Sequence, residues 1–439
     1  MTAQPSHSPP SAPRVHIVGA GISGLACAVH LARRGVAVYL YEAAAQAGGR
    51  CRSYHDARLD CVIDNGNHML LAANRAALAY VAEIGAAATL TGSPRACFGF
   101  VDLRSGLRWS IAPNAGPVPW WILAPRRRIP GTRVRSYLAA LRLARADAQA
   151  TVADCLARDD PAWERFWEPL TVAVLNTAPE EASARLLWRV VRETFLRGAG
   201  ACRPLIARDG LGATFVDPAL ALLRRHGARI VFNRRLRALA FAEGRVVGLD
   251  FGSEQVPVGG TDRVVLAVPP NVATTLVPGL EAPRDARTIV NGHVRLPAPP
   301  PPSAGMRPDF PVLGLIGGTA QWLFLRGAVA SLTVSAADAV ADLPNDEIAA
   351  RLWHDTAAAL ELPPTPCPPM RIIKERRATF AQTPAALARR VAARTAWDNL
   401  FLAGDWTDTG YPATIESAVR SGRTAAALVT KRSPIANEL

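Results

Sequence analysis

The chain has almost no lysine: of its 50 lysine and arginine residues only Lys374 and Lys431 are lysines, so the net charge of +14 is carried by arginine. No basic block is interleaved with aromatics and no base-reading motif occurs, which argues against a nucleic-acid partner. Basic faces of this kind suit a negatively charged membrane surface instead. The seven cysteines (Cys27, Cys51, Cys61, Cys97, Cys155, Cys202 and Cys367) form no CxxC pair and have no metal-ligand spacing. They predict neither a disulfide framework nor a metal site, and they suit a reducing, cytoplasmic compartment. Long apolar runs are missing too. Val15 to Leu31 comes nearest to a membrane span, and its glycines and strand–helix pattern account for it better. Residues 1–13 are Pro/Ser-rich without the basic-then-apolar order of a secretion signal, and they read as a tail.

What is there begins at Arg14-Val15-His16-Ile17-Val18-Gly19-Ala20-Gly21-Ile22-Ser23-Gly24-Leu25, an apolar run that breaks into glycines and continues with helical period. In this spacing Gly19 permits a tight turn, Gly21 lets backbone approach a pyrophosphate, and Gly24 allows close helix–strand packing. The helix that follows aims its positive end at the phosphates. It leads through Gly35 into a second strand, Ala37 to Tyr41, ending in Glu42, where a carboxylate can accept from ribose hydroxyls. Gly48-Gly49-Arg50, with Arg52 two residues on, is similar to the motif that follows the dinucleotide fold in many FAD enzymes, where the arginine and glycine amides add donors beside the diphosphate.

The other end of the chain completes this pattern. Leu400-Phe401-Leu402-Ala403-Gly404-Asp405 is a buried strand ending in Gly-Asp, and a helix begins beyond a short loop at Thr414-Ile415. Asp405 can hydrogen-bond the ribityl or diphosphate region, and the helix start at Thr414 and Ile415 can stabilise negative charge on a reduced flavin. The two ends together predict FAD as the cofactor. At 439 residues the chain exceeds one compact core. The expected fold class is α/β, a Rossmann-type FAD-binding domain (residues 14–75, 205–270 and 395–430) interleaved with an α+β substrate domain (residues 76–204 and 271–394).

Between these ends, Ile63-Asp64-Asn65-Gly66-Asn67-His68 is a strand running into a polar turn. His68 is either a flavin-side group or a loop histidine bonded to backbone. Phe98 to Ile111 reads as a hairpin turning at Ser105-Gly106. Trp120 and Trp121 beside Arg126-Arg127-Arg128, ahead of a basic helix, have the composition of an interfacial anchor, or of a buried aromatic loop with a solvated basic face. Residues 151–195 are helical in period, with Trp163, Phe166 and Trp167 on one apolar face. Glu168 among Trp167, Pro169 and Leu170 is either an acid of raised pKa or a paired surface charge. Residues 297–302 form a proline-rich connector.

With these residues in view, the chain resembles the flavin amine oxidase and carotenoid desaturase superfamily along essentially its whole length. Ile63 to His68, Phe166-Trp167-Glu168-Pro169-Leu170 with Leu175-Asn176, and Gly404-Asp405-Trp406-Thr407 through Gly410 to Ala418 resemble in particular the squalene-associated FAD-dependent desaturases, also called hydroxysqualene dehydroxylases. Asn67 departs from the glutamine expected there and keeps an amide. The resemblance implies that Gly66, Asn67 and His68 lie against the flavin ring and that backbone at Leu236 lies on the adenine. It also implies reductive removal of the hydroxyl from a long apolar isoprenoid, with His68 or Glu168 as candidate acids. Only one dinucleotide fingerprint is present, so the electron donor is expected to be external. The expected location is the cytoplasm, peripheral on the inner face of the cell membrane through Trp120, Trp121 and nearby arginines. The competing readings are a desaturase or amine oxidase on the same fold, and a non-catalytic flavin- or lipid-binding protein. Against amine oxidation, the region Arg284 to Pro297 holds no lysine, where such enzymes carry one near the flavin.

Overall fold

The computed structural model describes residues 13–300, 306, 309–363 and 365–431. The N-terminal tail up to residue 12, and positions 301 and 302 of the proline-rich connector, lie outside the described residues.

Short apolar runs flanked by helices favour a parallel sheet buried on both faces. Five parallel strands form one here, in the order Arg229–Val231, Ala37–Tyr41, Arg14–Val18, Arg263–Leu266, Leu400–Leu402. Helix Ile22–Ala32 packs on it, and helix Ile415–Thr430 packs on that helix so closely that a Cβ at Gly422 would lie 2.2 Å from the Ser23 carbonyl oxygen. The buried Glu416 then accepts from the Ala76 and Ala77 amides at 3.2 and 2.9 Å, which caps helix Arg75–Glu83. That helix buries Ala76, Ala77, Tyr80 and Val81 in the core of the dinucleotide fold. By packing, therefore, it belongs with the cofactor-binding part, and not with the substrate domain expected to begin at residue 76.

The second sheet has seven strands, in the order Met370–Phe380, Ala286–Arg295, Val329–Val334, Trp322–Arg326, Val312–Ile316, Phe98–Asp102, Arg108–Ile111. The expected hairpin supplies its edge, and Val312–Ile316 pairs with Phe98–Asp102 in parallel. Side chains alternate between faces along a strand. Val290, Val294, Leu332 and Val334 accordingly enter one apolar core with Leu352 of helix Asn345–Leu360. Asn291, His293, Ser331 and Thr333 take the opposite face, and their hydrogen bonds reach the turn after Asp64.

A third cluster of Trp121, Tyr137, Phe166 and Trp167 fills the helical part between residues 120 and 200. The turn Trp120–Leu123 is a 3₁₀ helix, with about three residues per turn, so neighbours diverge and positions three apart share a face. Trp121 therefore turns inward, only 2% exposed, with its ring edge-on to Tyr137 at 5.0 Å, while Trp120 is 49% exposed. The expectation that both tryptophans face a membrane is corrected for Trp121: it is core. Among the described residues no helix is long and apolar enough to cross a membrane.

Candidate functional site

At the carboxyl end of Arg14–Val18 the backbone turns at Gly19, whose φ of +104° places any Cβ 2.3 Å from the Ala267 carbonyl oxygen. At Gly24 a Cβ would lie 1.9 Å from the Gly19 oxygen, so only glycine lets the helix approach the strand end. Gly21 differs: no heavy atom lies within 4 Å of a Cβ built there. That open space sits at the start of a helix without side-chain cap, the arrangement that receives a diphosphate. Glu42 is already oriented, its two oxygens accepting from the Ala20 and Ala44 amides at 2.8 and 2.9 Å. A carboxylate offers about four lone-pair sites, so two remain for ribose hydroxyls. Gly48 bridges to Gly21, which brings Gly49 and Arg50 alongside.

Arg50 and Asp405, expected at one cofactor from opposite ends of the chain, meet: Nη2 donates to Oδ1 at 2.9 Å. The Arg50 side chain is still 42% accessible, so donors remain free for a ligand. Gly404 admits the ring of Trp406, since a Cβ would fall 2.3 Å from Nε1, and Trp406 Nε1 donates to the Val268 carbonyl. Thr414 caps helix Ile415–Thr430 by accepting from the Ser417 amide, with Ile415 buried beside it. Leu236 is buried in the cluster that holds Val18 and Tyr41, at the ends of the first two strands. An open glycine, an uncapped helix, an accessible arginine and a free carboxylate edge fit a dinucleotide, so the residues present suit FAD.

The turn after Asp64 lies between the two sheets. Asn67 Nδ2 donates to Thr333 Oγ1 at 3.0 Å, Thr333 donates to Asn291 Oδ1 at 3.0 Å, and Asn65 Nδ2 donates to Glu375 Oε2 at 3.2 Å. A Cβ at Gly66 would press on Asn291 Nδ2 at 3.3 Å. Asp64, 2% exposed, accepts from Ser53 Oγ, the Leu211 amide at 2.9 Å and Arg326 Nη2 at 2.8 Å. A small pocket is lined by Asp64, Asn67, His68, Ile206, Phe324 and Arg326. Burial pushes the His68 imidazole down to about 4, with Asp64 opposing and Arg50 adding to the push. Behind it His293, 1% exposed, shares a 2.7 Å hydrogen bond between Nδ1 and Ser331 Oγ, and burial pushes it down to about 4 as well.

Glu168 begins helix Glu168–Leu175, straight after the π-helical turn Trp163–Trp167. Burial raises its pKa, helped by Glu180 and Glu164 and opposed by Arg158. Those charged neighbours are not the Asp64 and Arg50 that act on His68, so the two candidate acids do not share a charge environment.

Several residues of the site carry no signal in the sequence. Asn291, Thr333, Ser331 and His293 look like ordinary alternating strand positions. Arg390 is hidden among many arginines, yet it is buried and donates to the carbonyls of Asp405, Thr407 and Tyr411 and to Thr409 Oγ1. It shapes the whole loop from Asp405 to Tyr411, and nothing in the sequence sets it apart from the other arginines.

A parallel dinucleotide sheet whose cradle spans both ends of the chain, set against a second sheet over a small pocket, defines an FAD-dependent oxidoreductase. The chain belongs to the family of flavin containing amine oxidoreductases, whose model matches residues 22–430. Two curated hydroxysqualene dehydroxylases are similar to it: that of Rhodopseudomonas palustris is 48% identical over 94% of this chain and 98% of its own length, and that of Sinorhizobium fredii is 44% identical over 94% and 97%. The cyclohexylamine oxidase of Brevibacterium oxydans shares the fold, with a TM-score of 0.66 at 18% identity over 95% of this chain and 99% of its own.

Proposed function

We propose that this chain catalyses the FAD-dependent reductive dehydroxylation of hydroxysqualene to squalene in hopanoid or related triterpene synthesis. Beyond the family likeness, one observation supports the reading: the polar corner of Asp64, His68 and Arg326 opens on the apolar side chains of Ile206 and Phe324. A long hydrocarbon with a single hydroxyl has that same division. In the reaction a C–O bond breaks, the hydroxyl leaves as water after gaining a proton, and a C–H bond forms. When bound, reduced FAD supplies the hydride, and an external donor, docking from outside the single dinucleotide fold, restores its two electrons.

The chain's own residues bind, orient and exclude water. Phe324 and Ile206 take the hydrocarbon, and the Asn67–Thr333–Asn291 hydrogen bonds hold the turn that carries His68. At pH 7 an imidazole with a pKa near 4 is neutral, so His68 acts as a hydrogen-bond partner of the hydroxyl and not as an imidazolium acid. Its place in the pocket favours it over Glu168 as the group that positions the hydroxyl, and the proton that converts the hydroxyl to water comes from a water molecule. Peripheral membrane contact through Trp120 and the neighbouring arginines belongs to the same reading.

Anaerobic mixing of the photoreduced protein with hydroxysqualene tests it. Flavin reoxidation and squalene should appear together, and flavin that stays reduced would overturn the assignment. His68→Gln should retain FAD and slow reoxidation by about 10- to 100-fold, the effect of losing one buried hydrogen bond of about 1–3 kcal/mol.

A further inference from the structure

Of the large apolar side chains that stand exposed among the described residues, Val118, Trp120, Leu123, Leu138 and Leu141 fall in one stretch, and only Val62, Leu107 and Val247 lie elsewhere. Trp120 and Leu123 are three apart in a 3₁₀ turn and therefore share its outward face, at 49% and 64% exposure. The inward Trp121 rests on Tyr137 of helix Val134–Leu138, and this contact sets the two exposed segments side by side. Between residues 115 and 146 there are seven arginines and no aspartate or glutamate. The exposed Arg126, Arg133, Arg135, Arg142 and Arg145 have no carboxylate partner among the described residues. An apolar ridge ringed by unneutralised arginines complements an anionic bilayer, which takes apolar groups below its headgroups and attracts each nearby cation by about 1 kcal/mol.

Next to this ridge lies an open groove lined by Pro117, Arg75, Arg197, Leu196, Gly200 and Ala201. Its rim is charged, with Glu193 held by Arg197 at 2.9 Å, and Leu196 and Ala201 contribute apolar surface. A short ribbon runs from this groove to the pocket at His68. Met69 pairs with Ile206, Leu71 with Pro204, and the Ala72 and Ala73 amides donate to the Arg203 and Ala201 carbonyls. Alternation sends Leu70 into the cofactor-domain core, and Met69 and Leu71, with Ile206 opposite, toward the substrate side, where all three stay partly exposed. These partly exposed apolar side chains lie between the groove and the pocket at His68.

We propose that the 118–145 face docks on an anionic bilayer and that the groove beside Pro117 is the opening through which a bilayer-dissolved isoprenoid passes along the Met69–Leu71 ribbon to His68. The opening rests on the long apolar substrate proposed above, whereas the bilayer contact can be tested without it.

Vesicle flotation and steady-state turnover read the two parts separately, both on the full-length FAD-loaded protein. Flotation with phosphatidylcholine vesicles containing phosphatidylglycerol should be strong, weakened by salt and by omission of the anionic lipid, and reduced at least tenfold in the double variant Trp120→Ser/Leu123→Ser. Equal flotation of that variant, or none by the unaltered protein, overturns the docking face. Gly200 is exposed, with no heavy atom within 4 Å of an added Cβ, so a large side chain fits there without disturbing the core. Gly200→Trp, with Gly200→Leu as a milder plug, should lower kcat/KM for vesicle-borne hydroxysqualene at least tenfold while flavin content and flotation are unchanged. Undiminished turnover in both overturns the opening. Absence of turnover in the unaltered protein overturns the substrate assignment instead, and with it the opening, while flotation still decides the docking face.

Discussion

On the cofactor side of the cleft, Gly19, Gly21, Gly24 and Gly48 do their work by having no side chain, and all four lie within the first fifty residues. On the substrate side, Asp64, Asn67, His68, Asn291, Arg326 and Thr333 act through side chains brought from strands hundreds of residues apart. One wall is a backbone shape, the other a network of polar side chains between two sheets. A backbone shape tolerates no added atoms, whereas a network can lose one member and keep its outline. Substitutions on the two walls should therefore fail differently.

The largest effect is expected at Gly19→Ala. The positive φ strains any L side chain by about 1–3 kcal/mol, and the Cβ would stand 2.3 Å from a main-chain oxygen that can move only with its strand. Flavin absorbance per purified chain should fall to near zero; full flavin content would show that the turn is not held as described.

Arg390→Leu should come next. It leaves the carbonyls of Thr407 and Tyr411 without their donor and the Asp405 carbonyl with only Ser417 Oγ at 3.3 Å, and each buried unsatisfied group costs about 1–3 kcal/mol. The expected loss is about 3 kcal/mol or more, read as a lower melting temperature together with weaker FAD retention. Retained FAD at a lowered melting temperature would place Arg390 in general packing and outside the cradle.

The glycine cradle was legible in the sequence because a requirement for no side chain leaves a fixed local spacing, and Glu42 and Arg50 stand at short, regular distances from it. Arg50 and Asp405 were each assigned to the cofactor from opposite ends of the chain, but their direct pairing across 355 positions appears only in the fold. Arg390 was not assigned, because burial distinguishes one arginine from the rest only after folding. Asn291 and Thr333 were invisible for a related reason: period-two alternation says that they face away from Val290 and Leu332 but not what stands opposite. Trp120 and Trp121 carry the same composition signal, and only the tight pitch of the turn separates the exposed ring from the buried one.

A pH series tests the buried polar wall. His293 in the folded protein is pushed down to about 4 from an ordinary 6.5, so the unfolded chain binds the extra proton first as acid is added. Stability contributed by the neutral form is thus complete above pH 6.5 and is lost as pH falls toward 4. Denaturant midpoints measured from pH 7 to pH 5 should decline, and His293→Asn, which keeps a polar atom near the Nδ1 position bonded to Ser331, should flatten part of the decline. The remainder is shared by His68, whose shift has the same direction and size, and by His16 and His30, which burial also lowers. An unchanged slope in the variant would mean that His293 is already protonated when folded.

The smallest effect is expected at Asn67→Gln. The Asn67 amide donates to Thr333 Oγ1 at 3.0 Å, and glutamine carries the same amide on a stem longer by one methylene. The turn is only partly buried at this position, so the longer stem can fold back without entering the core. One neutral hydrogen bond is worth about 0.5–1.5 kcal/mol net, and here it is re-formed and not deleted, so kcat/KM should change by less than about threefold. Asn67→Ala, which deletes it, should cost about 1 kcal/mol of stability and roughly fivefold in turnover, because Thr333 then loses the partner that ties it to the turn carrying His68. If glutamine proved as damaging as alanine, the substrate wall would be as intolerant of added atoms as the glycine cradle, and the contrast between shape and network would fail at the position where it is easiest to measure.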